Sequence, residues 1–73
     1  MKILIVDDLA MTRAIIRRWC DTLGVCQEDI VEADNGQVAL DRFESGSFDA
    51  VITDWSMPVM DGRTLVAEIR KRT

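Results

Sequence analysis

The 73-residue chain has no histidine and only two cysteines, Cys20 and Cys26. Two thiols without an imidazole make a poor structural zinc site, which takes four Cys or His ligands. They also fall short of a disulfide framework. Reduced thiols are expected, with Cys20 on an apolar helix face and Cys26 in the loop beyond it. No long apolar run is present, whereas a membrane-spanning helix needs ~20 such residues. The opening run Ile3-Leu4-Ile5-Val6 is stopped by Asp7-Asp8, too early for a signal-peptide core, so a cytoplasmic location is expected. There is no basic surplus either: 9 Lys and Arg against 13 Asp and Glu give a net charge of -4. That balance argues against nucleic acid as the main partner, because phosphate binding needs a face rich in Lys and Arg. Arg17-Arg18 and Arg70-Lys71-Arg72 read as solvated helix faces. Internal repeats, linkers and low-complexity stretches are missing too.

What is present is the composition of one small soluble domain, 48% hydrophobic and 30% charged. A chain of this length buries only about 60% of its unfolded surface, so its stability is marginal. Ile3-Leu4-Ile5-Val6 is short, continuous and β-branched, the habit of a strand buried on both faces. Met11, Ile15, Trp19 and Leu23 then recur at helical spacing, flanked by Ile16 and Cys20, and predict a helix over about 11–23 packed through that stripe. Gly24 follows as its left-handed terminator. Asp29–Ala33 reads as a weaker, alternating edge strand. Asn35 caps a second helix carrying Val38, Ala39, Leu40 and Phe43, which Gly46 closes. Phe48–Thr53 is a third strand, and Leu65, Val66 and Ile69 mark a third helix from about Arg63 to the chain's end. The alternation β-α-β-α-β-α implies a parallel sheet with right-handed crossovers.

In such a sheet, ligands gather at the carboxyl ends of the strands. Asp7 and Asp8 follow the first strand, and Asp54 follows the third. If those strands are neighbours, three carboxylates meet and repel one another, and a divalent cation relieves that repulsion. All-oxygen ligation on a few carboxylates suits Mg²⁺. Plainer roles stand beside this one: Asp8 as a helix cap, Asp54 as a polar strand terminus, and Asp61-Gly62 as a turn and helix start. Trp19 and Trp55 read as packing residues, and Met57 and Met60 as loop anchors. A carboxylate displayed beside a metal can also attack phosphorus and become an acyl phosphate.

These stretches resemble the receiver domain of two-component response regulators. "ILIVDD" matches the first strand and acidic pair, "EADNGQVAL" the second strand and helix, and "DAVITDWSMPVMDG" the phosphoacceptor strand and its loop. "DWSMPVMDG" and the region from Arg13 to Trp19 are similar to chemotaxis-type single-domain receivers. The resemblance implies a three-layer, flavodoxin-like α/β sheet in the order 2-1-3, with residues 1–73 as the first three of five βα units. It implies Asp54 as the phosphoacceptor. It also implies Mg²⁺ held by Asp7, Asp8, Asp54 and the backbone carbonyl of Ser56, with Asp7 acting through water. The implied partner is a sensor histidine kinase, and the chain is a signalling module rather than an enzyme. The family's phosphate-contacting Ser or Thr, its Lys and its aromatic switch residue belong to the fourth and fifth units, so this fragment is not expected to switch normally.

A third strand left at a sheet edge, bearing Val51 and Ile52, is a template for another chain. Self-association is therefore expected, most simply as a two-fold homodimer joined near the third strands. Two other readings compete. A Mg²⁺-dependent phosphatase with an aspartyl nucleophile would want a second acid two residues on, where this chain has Ser56. An excised half-domain would carry the acidic site as a passenger.

Overall fold

The structure is a computed structural model that describes residues 1–54 and 60–72. Three strands, β1 (Ile3–Val6), β2 (Ile30–Ala33) and β3 (Ala50–Thr53), form one parallel sheet in the order β2-β1-β3. Three helices alternate with them: α1 (Ala10–Thr22), α2 (Gly36–Ser45) and α3 (Gly62–Arg72). All four β1 side chains are buried, as an apolar run in a central strand requires, and each contributes about 1.5–3 kcal/mol. The expected sheet order is the observed one. Two strands are shorter than expected at their starts, because one turn of 3₁₀ helix takes Gln27–Asp29 and β3 begins only at Ala50.

Alternation along the strands divides the core. Leu4 and Val6 face α2 and α3, where they cluster with Ala33, Ala39, Leu40 and Leu65. Ile3 and Ile5 face α1, where they cluster with Ile30 and Cys20. The result is three layers, with one helix on one face and two on the other. Asn35 caps α2 as expected, its side-chain oxygen accepting from the Val38 N–H at 2.9 Å. Gly24, at φ +90°, ends α1 in the left-handed region, and the Val25 N–H turns back onto the Cys20 carbonyl at 2.9 Å.

The α1 stripe corrects the sequence expectation. Met11, Ile15, Trp19 and Leu23 are exposed at 78, 45, 64 and 82%, while Cys20 is buried and Ile16 packs beside it. Charge sets this rotation. Glu32 stands on the α1 face of β2, and Arg13 Nε donates to it at 2.9 Å and Arg17 Nε at 3.1 Å. Arg17 is therefore a clamp rather than a solvated residue. Arg72 likewise departs from that expectation, reaching Glu44 at 2.6 Å and Glu68 at 3.0 Å.

Candidate functional site

The sheet register fixes where the acids emerge. Val6 pairs with Ala33 on one side and Thr53 on the other, so Asp7 and Asp54 leave adjacent strands at the same level. Both are anchored through the backbone. The Asp7 N–H donates to the Ala33 carbonyl at 3.1 Å, and the Asp54 N–H to the Val6 carbonyl at 2.9 Å. The Thr53 hydroxyl donates to the Asp54 carbonyl at 2.9 Å. Asp7, Asp8 and Asp54 each offer one carboxylate oxygen, and these oxygens lie within 4.8 Å of one another. Asp7 is buried, Asp54 half-buried and Asp8 exposed.

Asp7 is held from two directions. Its Oδ1 accepts the Leu9 N–H at 2.9 Å, and its carbonyl accepts from Arg13 Nη1 at 2.6 Å. Asp8 does not cap α1: Leu9 occupies that position, with no side-chain cap bond. The helix-cap alternative for Asp8 therefore fails, and its exposed carboxylate faces the other two acids. Sequence reasoning missed Arg13, which ties the start of α1 both to the acidic pair and to β2. Its signal was an arginine within the first turn of a helix that directly follows two aspartates.

Two described residues directly precede α3, Met60 and Asp61. Met60 packs against the core beneath α2 and α3, as a loop anchor should. A Cβ on Gly36 would collide with the Met60 carbonyl and side chain, so glycine permits this approach of the loop to the start of α2. Asp61 serves as a helix cap, accepting the Thr64 N–H at 2.8 Å. That bond, chiefly, holds its carboxyl below the ordinary value of 3.8. The proposed carbonyl ligand Ser56, and Trp55, Met57 and Pro58 with it, lie outside the described residues.

Three carboxylate oxygens of graded exposure make an all-oxygen donor set, which fits a hard divalent cation. Asp7 supplies a fixed, buried edge, and the exposure of Asp8 leaves room for a cation that keeps water ligands, as Mg²⁺ does. The half-buried Asp54 remains reachable by a reactant. This arrangement can hold a cation beside a carboxylate nucleophile.

Comparison with known proteins gives concordant results. Residues 3–73 match the response regulator receiver domain model. Chemotaxis protein CheY of Pseudomonas aeruginosa is 46% identical over 70 residues, covering 96% of this chain and 55% of the relative. CheY-3 of Vibrio cholerae is equally identical, with 96% and 52% covered. This chain therefore spans just over half the length of these curated relatives. Among solved structures, response regulator protein TrrA of Thermotoga maritima, in complex with Mg²⁺ and BeF, superposes with a TM-score of 0.91 at 39% identity, covering 100% of this chain and 62% of that one.

Proposed function

The chain belongs to the response regulator receiver domain family, and we propose that Asp54 is its phosphoacceptor, with Asp7, Asp8, Asp54 and the Ser56 carbonyl holding Mg²⁺. Receiver domains are signalling modules of two-component systems, and residues 1–73 on this reading are the first three of five βα units. The observation that carries the reading is the meeting of the three carboxylates at the ends of β1 and β3. Strand ends hold Asp54 rigidly, so little ordering cost remains when a phosphodonor arrives.

The donor is a phosphohistidine on a sensor histidine kinase. An Asp54 carboxylate oxygen forms a bond to phosphorus as the P–N bond breaks. The electron pair stays on the imidazole nitrogen, which takes up a proton from solvent. Bound Mg²⁺ supplies positive charge beside the oxygens of the transferring group. Asp7, fixed by Leu9 and Arg13, keeps the cation side of the site in place. A structure of histidine kinase ThkA in complex with TrrA, the latter 39% identical to this chain with a TM-score of 0.88, supports the choice of partner. The second partner is another copy of the chain, joined along β3. The location is the cytoplasm. No helix among the described residues is long and apolar enough to cross a membrane.

A small-molecule phosphodonor such as phosphoramidate tests the assignment. Intact mass should show one added phosphoryl group in the presence of Mg²⁺, and none in Asp54→Asn or with excess EDTA. The adduct on these 73 residues should be short-lived, since the family's phosphate-contacting Lys and Ser or Thr belong to later units. Labelling that survives Asp54→Asn would remove the assignment.

A further inference from the structure

Asp8 is the least anchored of the three acids: among the described residues, no hydrogen bond holds its exposed carboxylate. Its direction is therefore set by its backbone. The Asp7 carbonyl and the Asp8 N–H belong to one planar peptide unit, and Arg13 Nη1 donates to that carbonyl at 2.6 Å. The guanidinium thus grips the peptide that joins two of the acids. On the other side of Asp7, the N–H is tied to the Ala33 carbonyl on β2. Turning the Asp7–Asp8 peptide would swing the Asp8 carboxylate away from the other two.

What aims Arg13 lies on β2, a strand that contributes no acid to the site. A guanidinium is a rigid planar fork, so the direction of Nη1 follows from where Nε is held. Arg13 Nε donates to Glu32 Oε1 at 2.9 Å. The second oxygen, Glu32 Oε2, accepts from Arg17 Nε at 3.1 Å. Arg17 is braced in turn by three acceptors: the Gln27 side-chain oxygen at 2.8 Å, and the carbonyls of Gln27 and Ile30, each at 3.4 Å. An ion pair that merely joined α1 to β2 would end at Glu32. Here the second donor of Arg13 continues to the peptide between two acids.

We propose that Glu32 and Arg17 are positioning residues for the cation site. They set the affinity of the three carboxylates for a divalent cation without touching it, by fixing the fork of Arg13 on the Asp7–Asp8 peptide. The proposal rests on the reading of those carboxylates as a Mg²⁺ site. Partners behind a metal ligand orient it and tune its affinity, and a grip on the ligand's own backbone does so as a grip on its side chain would. Position and charge give opposite signs at Arg17. Removing its positive charge lets the acids draw a cation more strongly. Removing its hold on Glu32 frees Arg13 and loosens the site. The direction of the change at Arg17 therefore separates the two effects.

Mg²⁺ titration of the chain at constant ionic strength, read by calorimetry and by tryptophan fluorescence, tests the proposal. Arg17→Gln and Glu32→Gln should each raise Kd about tenfold with unchanged circular dichroism, the low end of what partners behind a metal ligand contribute. Arg72→Gln removes the same charge from a separate cluster with Glu44 and Glu68, and should leave Kd unchanged. A purely structural role would move the urea midpoint of the two variants and not the Kd of the folded chain. Should Glu32→Gln fail to fold, Arg17→Gln decides alone. A wild type that saturates with Mg²⁺ while Arg17→Gln binds it equally or more tightly overturns the proposal and leaves the cation reading standing. A wild type with no saturable binding overturns both.

Discussion

Arg13 shows how much one side chain can organise. Its guanidinium donates to Glu32 on β2 and to the carbonyl of Asp7, so it sets the rotation of α1 and the position of the acidic pair together. It is only 17% exposed in its side chain, and truncation would strand two acceptors in a partly buried place. Arg13→Ala should therefore cost about 1–3 kcal/mol, read from the urea midpoint. Arg13→Lys should recover less than half of that, because one ammonium cannot reproduce the fork that spans both acceptors. Full recovery by lysine would mean that charge alone matters there. Asp61 allows a test by pH. The Thr64 N–H lowers its folded-state pKa, so its contribution is present above the ordinary value of 3.8 and is lost as pH falls through the lower folded value. Asp61→Asn keeps a capping oxygen but no charge. Wild type should unfold at a higher urea midpoint than this variant near neutrality, and the difference should shrink as pH falls below 3.8 and vanish beneath the lower folded value. A difference that persists in acid would assign the effect to shape rather than charge.

The helix α1 is the element at which sequence and structure part. It carries two apolar patterns at i, i+4 spacing: Met11-Ile15-Trp19-Leu23, and the shorter Ile16-Cys20. Periodicity favours the longer one, yet the shorter one is packed, because the ion pairs to Glu32 fix the rotation from another strand. That information lies in long-range pairing and is invisible along the helix. By contrast, β1 and the acids after it were legible, since a continuous apolar run ending in charge needs only local reading. The Asn35 cap was local too. The approach of Gly36 to Met60 was not, as it depends on where a loop returns. The rotation is measurable. Trp19→Ser should change monomer stability by no more than about 0.5 kcal/mol, as surface substitutions do. Leu65→Ala, at a fully buried site of α3, should cost about 2–5 kcal/mol. A loss of about 3–5 kcal/mol at Trp19, the cost of a core aromatic, would restore the reading in which the long stripe faces inward.

At the scale of the whole molecule, a small core is coupled to a concentrated charge. The four-residue strands and single helix over one face leave little reserve, and three acids converge at one end of the sheet. A cation that binds only the folded arrangement stabilises it by RT ln(1 + [L]/Kd), about 2.7 kcal/mol at one hundred times Kd. For a chain of this size each kcal/mol moves the midpoint by about 4–8 °C, so saturating Mg²⁺ should raise Tm by roughly 10–20 °C. Two other effects also raise Tm and must be separated from it. Salt screens the net charge of -4 without any site, and self-association makes the midpoint depend on protein concentration. Self-association acts equally on Asp8→Asn, because Asp8 is exposed and makes neither the α1 cap nor a strand contact, while screening, weaker at one charge fewer, is read for each protein from its own rise in sodium chloride. At fixed protein concentration and ionic strength, the rise in Mg²⁺ beyond that in sodium chloride should therefore be present in wild type and nearly lost in Asp8→Asn. Equal rises in the two would mean that the carboxylates meet at the sheet end without holding an ion.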